Sequence, residues 1–385
     1  MMRTAIPLLL YAGLLAVVSC QAQGDAGSAR PEDAVASPPP RLLDEVFVSD
    51  TSRYAVAARA AFARLDDAER VAQLIMTTGG RLGRPYDSLA ALVRDGVVGG
   101  AIFLAHPLDS HRAQVGRLRD LDGDGGAHVP LWFAIDAEPG LLAKRVVGGP
   151  SLPPAAEIRS AAGAARAATR TDSLLRDLGY HWNYAPVVDL GTENAAIRNR
   201  SFGASPKDVV ERAVAYVDAT QEGGVLACVK HFPGHGLVDG DTHKGSVYVR
   251  GELRELGVYE QILERCDPLS LMVGHITVED NAYATDGLPA SLSRRVTHDL
   301  IRDALGYPGI VVTDALNMMA AATKYGPEAP LLASRAGADV ILMPADERAT
   351  HAMLLAELRR DPAYREQLYR SVDRVLRAKA WLGLL

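Results

Sequence analysis

From residue 50 onward the chain repeats one unit, a short and almost wholly apolar run followed by a longer amphipathic stretch. The runs fall at 71–77, 98–104, 131–136, 182–188, 227–231, 271–275, 309–314 and 339–343. Strict alternation would mark strands with one wet face, whereas runs that are apolar throughout suit parallel strands covered on both faces. Between them lie Ala- or Leu-rich segments with charges at helical spacing, as at 154–178, 206–222 and 293–305. Eight such alternations predict an α/β fold, a single (β/α)8 TIM-type barrel over residues 45–385. Helices at 350–360 and 362–382 would close it. The 385 residues could hold two average domains, but barrels of this kind routinely take about 250 or more.

In such barrels chemistry collects at the C-terminal ends of the strands. Asp136, Asp189, Lys230 with His231, His275 and Asp314 end runs three to seven. Solubility alone would give polar residues no reason to choose those ends. The run KHFPGHGLVDGDTH, 230–243, adds Asp241 and His243 two residues apart on a Gly-rich loop. Asp241 can orient and polarise His243, leaving an imidazole able to give and take a proton near neutral pH. Gly234, Gly236 and Gly240 are expected to let this loop move over a substrate. A partner group attacking from the other side is available in Asp314 of GIVVTDALNMM, between an apolar run and a helix-forming segment.

KHFPGHG followed by D-x-H, with a downstream apolar-apolar-[ST]-D-x-L-x-M, resembles the family 3 glycoside hydrolases. More narrowly it resembles their single-domain β-N-acetylhexosaminidase branch. The resemblance runs from about residue 45 to the end and itself implies the barrel. It implies Asp314 as a nucleophile forming a covalent glycosyl intermediate, with His243 as acid/base and Asp241 as its orienting partner. It also implies that Lys230 and His231 hydrogen-bond the hydroxyls of the sugar being cleaved. Arg200, in AAIRNRSFG, would meet a hydroxyl or the N-acetyl region, and PASLS at 289–293 is a further match. The strand-three motif departs from the pattern. Asp136 and Glu138 are present, but Pro139 replaces a Gly and Lys144 stands where Arg is usual. Lys lacks the planar fork of Arg, so the substrate-binding rim at Asp136 and Lys144 is altered.

The activity so implied is that of a retaining exo-β-N-acetylglucosaminidase acting on peptidoglycan fragments or chitin-type oligosaccharides with a terminal β-GlcNAc. The alternatives are resolution of the same intermediate by phosphate, a shift to β-glucosidase, and a non-catalytic sugar-binding lipoprotein. No cofactor and no metal are expected. A His231/His235 metal pair would need a helix that Pro233 and Gly234 forbid. DLDGDGG at 120–126 starts like a calcium loop, but position twelve is Leu131 rather than a bidentate Glu, so it reads as a polar turn.

The N-terminus is a separate object. Met1, Met2 and Arg3 precede an apolar stretch, residues 6–18, that ends in Val17, Val18, Ser19 and Cys20. The stretch is shorter than the ~20 apolar residues of a membrane span. It reads as a signal peptide over 1–19, and its exit resembles a bacterial lipobox, implying a lipid on the Cys20 sulfur. Residues 20–44, rich in Ala, Pro, Gly and Ser, read as a flexible tether. The chain is therefore expected in a bacterial cell envelope, held to a membrane through that lipid only; Gln21 after Cys20 tilts this toward an outer membrane. Net charge is −6, which offers no basic face for nucleic acid. Cys228 and Cys266 sit in apolar contexts and read as buried free thiols. Oligomeric state is not legible.

Overall fold

A computed structural model describes residues 41–124, 129–191, 194–238, 247–317 and 325–385. The calls on Cys20, Gly240, Asp241 and His243, and on the signal peptide and most of the tether, lie outside the described residues.

Each of the eight apolar runs contributes a strand. They are β1 (Ile75–Gly79), β2 (Gly100–Phe103), β3 (Trp132–Ile135), β4 (Trp182–Asn183), β5 (Leu226–Phe232), β6 (Ser270–Val273), β7 (Ile310–Thr313) and β8 (Ile341–Leu342). All pairings between them are parallel, each strand beside its successor. Register runs through Met76↔Gly100, Gly100↔Trp132, Ala134↔Trp182, Trp182↔Leu226, Cys228↔Ser270 and Ile310↔Ser270. β8 pairs with β1 through Ile75↔Ile341, and a parallel bridge Val312↔Val340 joins it to β7. The sheet is thus a closed (β/α)8 barrel. Every residue of these strands is buried, which is why the runs lack a period of two.

Local chemistry sets the boundaries. Val71 and Ala72 belong not to β1 but to the helix Asp67–Ala72, whose start is fixed by a reciprocal capping box between Asp66 and Glu69. The segment from 154 makes a single 3-10 turn, Ala155–Glu157, and becomes α-helical only at Ala161, where the Ser160 side chain accepts the Gly163 N–H; that helix ends at Leu178, with Gly179 left-handed after it. Pro206–Glu222 is a helix with the predicted bounds, capped by Ser205 and with Pro206 in its first turn. The expected polar turn at 120–126 is corrected in part: the helix Leu108–Asp124 runs through Asp120 and continues to Asp124.

Inside the barrel the Trp132 and Trp182 rings lie 4.7 Å apart. Gly100 makes this possible, because a Cβ there would fall 2.2 Å from the Trp132 ring. The N-terminal end of the barrel is held by Lys379 of the last helix, Pro362–Trp381. Its buried ammonium donates to Gln73 Oε1 (2.7 Å), Gly99 O (3.0 Å) and Pro130 O (2.8 Å), the residues leading into β1, β2 and β3. One end is thus fastened by structural polar contacts and the other is left for chemistry. Cys228 and Cys266 are buried free thiols. No helix among the described residues is long and apolar enough to cross a membrane.

One buried acid works against the fold. Asp172, on the helix Ala161–Leu178, is 1% exposed, and neither carboxylate oxygen has a hydrogen-bond partner among the described residues. Burial pushes its carboxyl up to about 7, against weaker pulls from Thr220 and Arg176. An unfolded Asp releases its proton near pH 3.9. The folded state therefore binds the extra proton between those values, and stability falls as pH rises from about 4 to 7. Asp172→Asn is expected to flatten this slope, and to raise the melting temperature at pH 8 by several degrees. Melting curves at pH 5 and pH 8 check it, and an equal change at both values would sink the explanation.

Candidate active site

Strand ends β3 to β7 bring the polar residues together at the C-terminal mouth. Three residues beyond β3, Glu138 is 1% exposed and accepts a two-pronged contact from Arg200, Nε at 2.8 Å and Nη2 at 2.9 Å. The buried Lys230 ammonium lies 2.6 Å from Glu138 and 2.8 Å from Asp136. Burial opposes ionisation of Glu138, but Arg200 and Lys230 outweigh it and hold the carboxyl well below its usual range. Burial likewise disfavours the Lys230 ammonium, and Asp136 with Glu138 reverses the sign, raising it above its ordinary value. Asp136 stays half-buried, with Arg145 at 3.4 Å on its second oxygen.

His231 is fixed from both sides. Its Nδ1 lies 2.7 Å from the fully buried Asp189, and Arg200 Nη2 approaches its Nε2 at 3.4 Å. These partners assign the proton to Nδ1, which donates to Asp189, and the lone pair to Nε2. Burial would lift the Asp189 carboxyl, but His231, His235 and the His235 N–H bring it below its usual value. The segment around Arg200 is locked as well: Ser201 Oγ donates to Asp189 O at 2.6 Å, and Phe202 is buried.

Asp314 follows β7 directly, half-buried at the mouth. Its N–H donates to Val273 O at the end of β6 (2.9 Å), and the Ala315 N–H donates to Oδ1 (2.7 Å). His275 braces this turn. Its Nε2–H donates to Ala315 O at 3.0 Å, and its Nδ1 faces the Ser291 hydroxyl at 2.7 Å. The PASLS match therefore has a physical meaning, since Ser291 orients the ring that holds the backbone beyond Asp314. Burial acts to raise the Asp314 carboxyl. His275, His231, the Ala315 N–H and Lys230 act against it and leave the group below its ordinary value. An ionised carboxylate at a mouth lined by fixed donors can attack an electron-poor carbon.

Of the sequence-predicted residues, Asp136, Arg200, Lys230, His231 and Asp314 meet here. Lys144 does not. It is exposed, its side chain makes no hydrogen bond or ion pair among the described residues, and its neighbour Arg145 is the one that reaches Asp136. Both lie on the one-turn helix Leu142–Arg145, where a step of one residue rotates a side chain by about 100°. Glu138, Asp189, Arg145 and Glu255 carry contacts that motif reading did not assign. A signal existed for Glu138: an acid two residues past Asp136 on a buried strand exit needs a cation, and Arg200 and Lys230 were both at hand.

The glycines also differ from expectation. Gly236 packs against the exit of β4 so closely that a Cβ would lie 1.4 Å from Leu190 O, and at Gly234 (φ +126°) a Cβ would meet the Glu255 side chain at 2.5 Å. In this turn Gly234 and Gly236 permit close packing. Glu255 is buried, and burial together with the Asp189 charge pushes its carboxyl up to about 7, against backbone N–H donors from Leu190, Leu237 and Gly236.

With this geometry in hand, the chain can be set beside known proteins. Residues 67–378 match the family model described as glycosyl hydrolase family 3 N terminal domain. Beta-hexosaminidase A of Pseudoalteromonas piscicida is 30% identical over 330 residues, 76% of this chain and 55% of that protein. Beta-hexosaminidase LpqI of Mycobacterium bovis is 35% identical over 237 residues, 57% of this chain and 59% of that protein. The matched region thus spans little more than half the length of these two relatives. Among solved structures, a glycoside hydrolase family 3 beta-N-acetylglucosaminidase from Paenibacillus sp. str. FPU-7 superposes with a TM-score of 0.76 at 31% identity, covering 83% of this chain and 63% of that one. A closed parallel barrel with this match over most of its length places the chain in glycosyl hydrolase family 3, as a bearer of that family's N-terminal domain.

Proposed function

We propose that the chain is a retaining exo-β-N-acetylglucosaminidase that removes terminal β-linked GlcNAc from peptidoglycan fragments or chitin-type oligosaccharides. The observation that carries this reading is Asp314. Its carboxylate is held ionised at the barrel mouth, with one oxygen fastened by the Ala315 N–H and the other carrying no hydrogen bond among the described residues. Asp136, Lys230, His231 and Arg200 surround the same mouth with groups that can bind the hydroxyls of one pyranose ring. The printed names of the relatives, beta-hexosaminidase and beta-N-acetylglucosaminidase, support the sugar class.

In this mechanism the free Asp314 oxygen bonds to the anomeric carbon as the bond to the aglycone oxygen breaks. His243, oriented by Asp241, donates its proton to that departing oxygen; this assignment rests on the sequence motif. The neutral imidazole then takes a proton from water as the water oxygen attacks the anomeric carbon and releases Asp314. The sugar leaves with the configuration it had.

The test is release of 4-nitrophenol from its N-acetyl-β-D-glucosaminide and from its β-glucoside, each with and without phosphate. Turnover confined to the N-acetyl sugar and indifferent to phosphate is expected. A rate that needs phosphate would replace hydrolysis by phosphorolysis, and preference for the glucoside would replace the sugar class. Silence on both, in folded protein, would leave a sugar-binding barrel without catalysis.

A further inference from the structure

The turn that follows β5 is held by two acids. Asp189, six residues past β4, accepts the main-chain N–H groups of His231 near the end of β5 (3.1 Å) and of His235 in the turn (2.8 Å). On the other side stands Glu255, which no step of the proposed mechanism uses. Its Oε1 accepts the Leu190 N–H at 2.5 Å, and its Oε2 accepts the N–H groups of Gly236 and Leu237, each at 3.1 Å. Leu190 belongs to the exit of β4, whereas Gly236 and Leu237 belong to the exit of β5. One carboxylate therefore joins two neighbouring strand exits beyond the parallel bridge Val187↔Lys230 that pairs them lower down. Its own position is firm, because it opens the helix Leu256–Arg265, whose Tyr259 ring packs edge-on against Phe232 of β5 at 4.9 Å. The two glycines explain how the acid gets in. Side chains at 234 or 236 would collide with Glu255 or with Leu190 O.

We propose that Glu255 is a positioning residue for catalysis: by gathering the N–H groups of Leu190, Gly236 and Leu237 it fixes the turn that follows His231 against the strand exit bearing Asp189. The inference rests on the hydrolase reading above. Both the ring that faces the sugar and the point from which the chain departs toward His243 depend on that alignment. Asp at this position would be one methylene too short to span the two exits. Gln would keep one acceptor oxygen and turn an N–H₂ group toward donors, and Ala would keep none.

The experiment compares wild type, Glu255→Gln and Glu255→Ala in two ways. Amide hydrogen exchange over residues 189–190 and 231–238 is followed at pH 8, above the titration of this carboxyl. It is expected to quicken roughly tenfold in the Gln variant and further in the Ala variant, as acceptors are lost. Turnover is measured on two aryl N-acetyl-β-D-glucosaminides with good and poor leaving groups, beside binding of free N-acetylglucosamine. A misplaced proton donor should lower kcat by about a hundredfold for the poor leaving group and about tenfold or less for the good one, with sugar affinity within about threefold. A merely structural role would lower both rates together. Unchanged exchange would overturn the clamp, and altered exchange with equal losses on both substrates would overturn the positioning role. A wild type silent on both glycosides would instead overturn the hydrolase reading, and with it the catalytic half of this proposal, while exchange still decides the clamp.

Discussion

Asp314→Asn is expected to lower kcat by about four orders of magnitude or more, the loss typical when a covalent nucleophile is removed, while the barrel and its affinity for sugar persist. Asn has nearly the same shape, can still accept the Ala315 N–H through its amide oxygen, and leaves the Asp314 N–H to Val273 O contact untouched. It cannot supply the electron pair that forms the glycosyl ester. Melting temperature and binding of free N-acetylglucosamine should therefore stay near wild-type values. Mass spectrometry with a slowly deglycosylated aryl substrate should find one covalently attached sugar on the wild type and none on the variant. Unchanged turnover would remove Asp314 from the role of nucleophile. The pH profile adds a second check. His275, His231 and Lys230 hold the Asp314 carboxyl below its ordinary value despite burial, so the attacking group is already ionised above the ordinary carboxylate range, near pH 4. A loss of rate on acidification above about pH 5 must come from another group.

Much of this architecture was legible before the structure. The eight strands could be located because each is buried along its whole length, which erases the polar alternation and leaves runs of Val, Ile and Ala. Asp136, Lys230, His231 and Asp314 could be assigned to one mouth because a closed parallel barrel puts every strand's C-terminal end on the same side. What stayed hidden depends on angles and long-range partners. Lys144 and Arg145 differ by one position on a single helical turn, and only the three-dimensional turn decides which of them reaches Asp136. Glu138 and Arg200 are 62 residues apart and meet through the barrel's curvature. Glu255 carries no local pattern at all, because its partners are main-chain N–H groups, which leave no mark in a sequence. The glycines of HFPGHG were read as freedom to move, since composition cannot distinguish a glycine needed for flexibility from one needed for close approach.

Glu138→Gln should injure the fold where Asp314→Asn does not. Glu138 is the shared anion of two cations, and it sits with Lys230 where water does not compensate a missing charge, each 1% exposed, whereas the Arg200 side chain is 30% exposed. After the substitution Lys230 and Arg200 lose a shared carboxylate, and Asp136 is already engaged by Arg145 as well as Lys230. Breaking a buried pair from one side typically costs about 3–5 kcal/mol, which lowers the melting temperature on the order of 10 °C in a domain of this size. Adding Arg200→Met should recover part of the loss by removing one stranded cation, whereas simple additivity of the two substitutions would deny that the pair is coupled. The pH dependence has a definite sign. Glu138 is held below its ordinary pKa, so its contribution is complete above about pH 4.3, the value of an unfolded Glu, and is lost as pH falls through the depressed one. The gap in melting temperature between wild type and Glu138→Gln should accordingly be widest near neutrality and narrow on acidification. A gap that does not depend on pH would mean that Glu138 stabilises the barrel by packing rather than by charge.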